Sequence, residues 1–358
     1  MALKKLYLGK KNCITYNHMI RKIFITGGLG YLGSHLAKEA LARGDSVMLY
    51  DSLIYEQDYK RILKKIESTK KSSSNLQYII GDTRNTELLK EALEEFKPDF
   101  LFHLAELSSV WACNHNPAYT KDINYEASKK VIDLAEKLGI PTIYNSTSSL
   151  YGNQKEMKLL DENTHIPEPT DNYCKYKLLM EQHIKNKIKK NPKFKIIMLR
   201  PATVCGIAPR MRMELLPNHF TYCAVSKGLI RISELNAYRA AIDVRDMTSS
   251  YLAIMKKDKW PKFIYNVGHH NLSKAQFGKA IQKVVKCKIG SIGDLGDLRN
   301  LQIDSKAFSK DFNWKPKHSI ENTVKEIEKW LNVNMLEIEK NNFVGVLNMS
   351  LDLWRKIT

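Results

Sequence analysis

A short β-branched run, Lys22 to Thr26, leads directly into Thr26-Gly27-Gly28-Leu29-Gly30-Tyr31-Leu32-Gly33, and a helical pattern then runs from Tyr31 to Ala42. Glycines at 27, 30 and 33 carry no Cβ, so the chain can turn tightly there and its backbone can approach a diphosphate. The amino end of the helix, at Tyr31, Leu32 and Gly33, adds free N–H groups and a positive partial charge at the same point. A strand, a glycine turn and a helix in this order restrict the chain to an α/β sheet with parallel strands. The motif is weak alone and gains force from the correct context on both sides.

The alternation continues. Strands are expected at Ser46–Tyr50, Leu76–Ile80, Asp99–Ala105, Thr142–Thr147 and Phe194–Arg200. Helices are expected at Tyr55–Ser68, Glu87–Phe96, Ala118–Leu138 and Tyr173–Lys190. Strands alternating with helices imply right-handed crossovers and a Rossmann-type, doubly wound parallel sheet. Beyond Pro201 the rhythm breaks into helical pieces at Leu215–Lys227, Ala275–Lys286 and Ile320–Leu331, read as a smaller C-terminal α/β lobe. The expected division is a nucleotide-binding domain over 19–200, to which 240–268 returns, and a substrate lobe made of 201–239 and 269–332. Residues 1–18 form a basic leader without the apolar core of a secretory signal. Residues 333–358 form a tail without an assignment.

Asp51 ends the second strand, 24 positions after Gly27. A carboxylate there accepts both ribose hydroxyls of an adenosine and repels a 2′-phosphate, which favours NAD over NADP. Asp82, at the end of the third strand, either faces the adenine amino group or is a turn aspartate.

Charge and cysteine content bound the partners. The 358 residues carry 57 Lys+Arg against 38 Asp+Glu, a formal charge of +19. Such a balance suits anionic ligands. No zinc-finger spacing, RNP motif or basic heptad accompanies it, so nucleic acid is not an expected partner. No apolar run reaches the ~18 residues of a membrane span, so no membrane partner is expected. The six cysteines are scattered without Cys-x-x-Cys pairs. That pattern reads as reduced cytoplasmic thiols, with no metal site.

Tyr173 and Lys177 lie four apart at the start of a helix, hence on one face. A phenol with a pKa of about 10 is a poor base at neutral pH, and an adjacent ammonium favours its phenolate. Tyr144-Asn145-Ser146-Thr147-Ser148-Ser149-Leu150-Tyr151-Gly152 closes the fifth strand and brings hydroxyls to the same edge. Thr147 is placed there to hydrogen-bond a substrate oxygen that Tyr173 deprotonates.

With these residues in view the chain resembles an extended short-chain dehydrogenase/reductase, of the NAD-dependent nucleotide-sugar epimerase/dehydratase family. The resemblance runs from about Met19 to Leu331. It includes the glycine turn, His103-Leu104-Ala105, Asn124, Thr147 four before Tyr151-Gly152, Tyr173/Lys177, Leu199-Arg200-Pro201, Arg239 to Asp246, Tyr265-Asn266-Val267-Gly268, and Asp297-Leu298-Arg299-Asn300 followed by Asp304-Ser305-Lys306. It implies a Thr147/Tyr173/Lys177 catalytic set, with Lys177 also binding the nicotinamide ribose. It implies that Thr83, Leu104, Ala105, Asn124 and Ser146 line the NAD site, and that Thr203, Arg212, Arg239 and Arg299 hold the substrate. Arg239 and Arg299 would grip its diphosphate, a role that a guanidinium fork suits. A homodimer built on the helices at Ala118–Leu138 and Tyr173–Lys190 is also implied.

Departures from the family pattern narrow the chemistry. Ser148 and Ser149 stand where the 4,6-dehydratases carry an Asp-Glu pair, so water elimination lacks its usual acid and base. Glu106 replaces a common small residue, and Cys205 stands where Tyr or Phe is usual; both are expected to reshape the sugar pocket. Cys113 and His115 fall in the loop after the fourth strand and do not match the Cys/His pair of a reductase-epimerase. The expected activity is oxidation at C4 of a nucleotide-linked hexose or heptose, ending in epimerisation or in release of the ketone by a dehydrogenase. Pro209-Arg210-Met211-Arg212 resembles a subgroup that permits a GDP-heptose 4-dehydrogenase, and the setting expected is surface-polysaccharide sugar synthesis. A 4,6-dehydratase, a 4-keto-sugar reductase and a non-catalytic NAD-binding protein are the alternatives.

Overall fold

The computed structural model describes residues 20–55, 58–68, 75–154, 156, 158–293 and 299–341. The first half repeats strand and helix: β1 (Lys22–Thr26), α1 (Tyr31–Ala42), β2 (Ser46–Asp51), α2 (Tyr59–Glu67), β3 (Leu76–Ile80), α3 (Thr86–Phe96) and β4 (Phe100–His103). Short helices α4 (Val110–His115) and α5 (Pro117–Lys121), a π-helical stretch (Asp122–Ala127) and α6 (Ser128–Lys137) lead to β5 (Thr142–Asn145). A 3-10 turn (Ser148–Tyr151), β6 (Leu159–Leu160), α7 (Asn172–Lys190) and β7 (Ile196–Pro201) follow. The remainder comprises β8 (Thr203–Cys205), α8 (Leu216–Lys227), β9 (Leu229–Ile232), β10 (Tyr238–Asp243), α9 (Val244–Met255), β11 (Ile264–Val267), β12 (His270–Ser273), α10 (Lys274–Gln282), β13 (Lys288–Ser291), β14 (Gln302–Ile303), α11 (Lys306–Phe312) and α12 (Ile320–Asn341).

Seven strands form the main sheet in the order β11-β7-β5-β4-β1-β2-β3, and every pairing in it is parallel. Side chains alternate across it. Ile23, Ile25, Val47, Leu49 and Phe102 bury one face with α1 and α9. Phe24, Met48, Leu101 and Tyr144 bury the other with α3, α6 and α7. The chain steps from β1 outward to β3, then crosses back to β4 on the other side of β1. That reversal opens a crevice at the carboxyl ends of β1 and β4, where such sheets hold ligands. Register puts Thr26 level with both Tyr50 and His103, so the glycine turn, Asp51 and the loop after β4 meet at this crevice. The doubly wound parallel sheet expected from the alternation is the fold observed.

Several elements depart from expectation, helix α9, which was not anticipated, among them. The helix expected over Ala118–Leu138 runs unbroken from Pro117 to Lys137, with Asn116 accepting from Tyr119 N at its start, but residues 122–127 are π-helical. The Ser128 hydroxyl then bonds the Ile123 carbonyl five residues back, within the π stretch. The Cys113–His115 region is helical rather than loop, because Ser109 caps α4. The last helix continues past Leu331 to Asn341, while the expected leader 1–18 lies outside the described residues.

Candidate active site

The crevice widens into one cavity of about 1370 Å³ that runs from the glycine turn to the segments after β7 and β10. Its floor at one end is the turn itself. Gly27 has φ +69°, and a Cβ there would lie 2.7 Å from the carbonyl of Leu104 and 2.8 Å from Ala105 N. A Cβ on Gly33 would lie 2.2 Å from the Gly27 carbonyl oxygen. Side chains are therefore excluded from a groove shaped by backbone alone, as close approach to a pyrophosphate requires. Tyr31 contributes backbone here, since its phenol turns away to the Gly206 carbonyl at 2.7 Å.

Asp51 is fixed by this turn. Its Oδ2 accepts from Leu29 N at 3.0 Å and its Oδ1 from Leu53 N at 2.9 Å. The carboxylate thus sits on the cavity wall beside the glycines. Asp82 is placed differently: its carboxylate is taken by Arg84 at 2.8 Å, and it is absent from the wall that its neighbours Gly81 and Thr83 line. The Arg84 guanidinium two residues on, together with the Arg84 backbone N–H, satisfies it locally. Asn124 also stays off the wall. It is buried behind the loop after β4, accepting from Leu107 N and donating to Leu107 O, both at 2.8 Å.

Tyr173, Thr147 and Lys177 converge on the cavity next to Ser146. Asp171 accepts from Cys174 N at 2.8 Å and starts α7, so Tyr173 falls in the first turn with Lys177 one turn on. Burial raises the Tyr173 pKa, and a hydrogen bond with the Thr147 side chain opposes it. The Lys177 ammonium lies 5.9 Å from the Tyr173 ring centre and 4.8 Å from that of Tyr144. It donates to the Asn145 carbonyl and to Glu106. Glu106 is also reached by the Tyr144 hydroxyl at 2.9 Å and the Ser128 hydroxyl at 3.0 Å.

At the far end Arg239 and Arg299 come together, with Arg239 Nη1 donating to the Arg299 carbonyl. Thr203 lines the wall on β8, paired with Ala241 of β10. Arg212 donates to Glu214 at 2.6 Å and to Ser108 at 2.8 Å. Among the described residues, none gives a hydrogen bond to Tyr55 Oη or Glu214 Oε2, both buried on this wall. Buried polar atoms left so are costly unless a ligand engages them.

Of the residues expected at the site, Asp82 and Asn124 lie off the wall and the others line it. Cys205 lies in the core rather than in the sugar pocket, its thiol toward the Ile242 carbonyl. Tyr55, Trp111, Arg210, Glu214 and His219 also line the cavity and were missed. Arg210 sits 5.1 Å from the Tyr55 ring centre, a pairing across 155 residues that no local pattern announces. His115, expected in a loop, stacks on Trp111 at 5.1 Å.

Comparison with known proteins points the same way. The model of the NAD dependent epimerase/dehydratase family matches residues 23–268. The bifunctional UDP-glucose 4-epimerase and UDP-xylose 4-epimerase 1 of Pisum sativum is 23% identical, covering 88% of this chain and 96% of its own length. The UDP-glucose 4-epimerase of Erwinia amylovora is 24% identical, with 87% and 98% covered. Among solved structures, the UDP-glucose-4-epimerase of Stenotrophomonas maltophila with bound NAD and formylated UDP-arabinopyranose superposes with a TM-score of 0.79 at 20% identity, covering 88% and 99% of the two chains. A dTDP-glucose 4,6-dehydratase from Bacillus anthracis in complex with NAD gives 0.76 at 20% identity, with 88% and 98% covered.

Proposed function

On the footing that this chain belongs to the NAD-dependent epimerase/dehydratase family, we propose that it is a nucleotide-sugar 4-epimerase. It oxidises C4 of the sugar in a nucleoside-diphosphate hexose and reduces the resulting ketone from the other face. The observation that carries this reading is the convergence of Tyr173, Thr147 and Lys177 with the glycine cradle and two arginines in a single cavity.

The residues present fit NAD. The Gly27–Gly33 backbone accommodates the pyrophosphate, Asp51 the adenosine ribose, and Leu104 and Ala105 flank the path between them and Tyr173. Bound NAD would supply the hydride acceptor for C4 and the donor on return. Tyr173 takes the C4 hydroxyl proton and later gives one back. Thr147 hydrogen-bonds the same oxygen and holds it within reach of the phenol. Lys177 favours the phenolate and binds the nicotinamide ribose. Arg239 and Arg299 anchor the diphosphate, about which the ketose ring turns within the cavity. Ser148 and Ser149, in place of carboxyl groups, leave no acid–base pair for dehydration.

The UDP-sugar activities of the relatives favour a UDP-hexose, and the Pro209–Arg212 run favours a GDP-heptose of surface-polysaccharide synthesis as the second candidate. Purified protein with NAD is to be incubated with UDP-, GDP-, CDP- and dTDP-sugars, with NADH absorbance and product NMR read together. A C4 epimer without net NADH supports the proposal. Stoichiometric NADH with a 4-ketose identifies a dehydrogenase, and absence of both with every sugar overturns the C4 assignment.

A further inference from the structure

A buried carboxylate is bound to the one lysine that the proposed chemistry needs as a cation. Glu106 lies three residues after the end of β4, and its side chain is 5% exposed. Lys177 reaches it from α7, Tyr144 from β5 at 2.9 Å and Ser128 from α6 at 3.0 Å. We infer that Glu106 is a positioning residue for the C4 reaction: by pairing with the Lys177 ammonium inside the protein it shares that charge with Tyr173, and so sets the pH at which Tyr173 becomes the base. This rests on the catalytic reading of Tyr173 and Lys177 given above.

Behind Glu106 lies a line of buried polar contacts. Thr26 Oγ1 lies 2.7 Å from His103 Nδ1, and His103 Nε2 lies 2.9 Å from the Ser128 hydroxyl. Burial, with the Lys177 charge, lowers the His103 pKa to about 3, so the ring is neutral. The Ser128 hydroxyl lies between the Ile123 carbonyl and the Glu106 carboxylate, at 3.0 Å from each. Burial raises the Tyr144 pKa well above its ordinary value, and Glu106 adds to it, so this phenol remains a donor. Lys177 and Tyr144 thus donate to a group that, when ionised, can only accept, with the Ser128 hydroxyl beside it. Burial raises the Glu106 pKa, and Lys177, Tyr144 and Ser128 all oppose it.

The remaining charged and titratable neighbours do not duplicate this role. Cys113 on α4 and Cys174 on α7 face Tyr173, and burial raises both thiols, to about 12 for Cys113. Arg212 is engaged by Glu214, and Asp171 caps α7. Glu181, one turn beyond Lys177, is engaged by Arg200. Among the described residues Glu106 is the carboxylate bonded to Lys177.

The test uses NAD-loaded protein and two readouts. One is the acid limb of the pH profile of kcat/KM. The other is the ultraviolet phenolate band of Tyr173, isolated by subtracting the spectrum of Tyr173→Phe at each pH. Glu106→Gln removes the charge and keeps the shape, so limb and band should both move down by about one pH unit. Glu106→Asp restores the charge and should return both toward the wild-type position, which a packing role would not do. A limb and band unmoved in Glu106→Gln overturn the inference, whatever the change in kcat. If Glu106→Gln does not fold, Glu106→Asn takes its place as the uncharged variant: limb and band should again move down, and an unmoved limb overturns the inference. Failure of the underlying reading is distinguishable, because turnover would then survive in Tyr173→Phe.

Discussion

Gly33 is the tightest point of the cradle, since any Cβ there meets the Gly27 carbonyl oxygen at 2.2 Å. Gly33→Ala must push the turn open, a distortion costing about 1–3 kcal/mol. Calorimetric titration with NAD and a thermal melt should show weaker binding and a lower midpoint, and a variant unchanged in both would contradict the cradle. Asp51→Asn loses the charge and keeps only one of the two contacts, because its amide nitrogen cannot accept from Leu29 N or Leu53 N. NAD affinity should fall about tenfold, or ~1.4 kcal/mol, and the preference over NADP should narrow. Equal discrimination in wild type and variant would remove Asp51 from the ribose. These residues were legible because each carries a local signature: glycine spacing after a strand, an acid at a strand end, Tyr and Lys at i and i+4. Glu106 was noticed only as a departure. Its meaning depends on Lys177, Tyr144 and Ser128, which the sheet brings together from three other elements. Asp82 shows the converse, where a nearby arginine captures a carboxylate that the strand-end position alone points toward the ligand.

At the scale of elements, α7 carries the proposed catalytic residues and is tied to the sheet by a buried clamp. Arg200 of β7 donates to both Glu181 oxygens, at 2.8 and 2.6 Å, and Ser146 donates to Glu181 at 2.6 Å. Glu181→Ala leaves the Arg200 charge buried with its carboxylate partner gone, at a cost of about 3–5 kcal/mol. Burial acts to raise the Glu181 pKa, but the Arg200 bonds and charge, with Ser146, hold it below the ordinary glutamate value. Its contribution is therefore complete above the unfolded value of about 4.3 and is lost as pH falls through the folded one. Urea titrations at about pH 7 and about pH 3 should show the wild-type advantage over Glu181→Ala shrinking in acid; an equal gap at both would contradict the pairing. Elements with a clean period were placed well, β1, α1 and β3 to the residue. The Ala118–Leu138 helix was placed within a residue at each end, but apolar periodicity does not register its π stretch. Helix α9 was missed although its signal was present: Asp243 caps it through Arg245 N, and Val244, Met247, Tyr251 and Ile254 recur on one buried face.

For the whole molecule, the cavity exists because strand order reverses beside β1, and the alternation of strand and helix made that reversal legible. Its far wall was legible only through family resemblance, since Arg239 and Arg299 are 60 residues apart with no motif joining them. No helix among the described residues is long and apolar enough to cross a membrane. Helices α6 and α7, on which the homodimer is proposed to form, are linked to each other by Lys187 and His183 to Asp133, at 2.7 and 3.0 Å. Sedimentation at micromolar concentration should give a dimer, and a monomer throughout would exclude it. The central claim is that Tyr173 moves the C4 proton beside bound NAD. It is tested most directly by timing epimer formation by NMR, on whichever nucleotide sugar the panel identifies, in wild type and Tyr173→Phe. The account predicts a rate lower by about 10²–10⁴-fold in the variant with NAD still bound; an unchanged rate would contradict it.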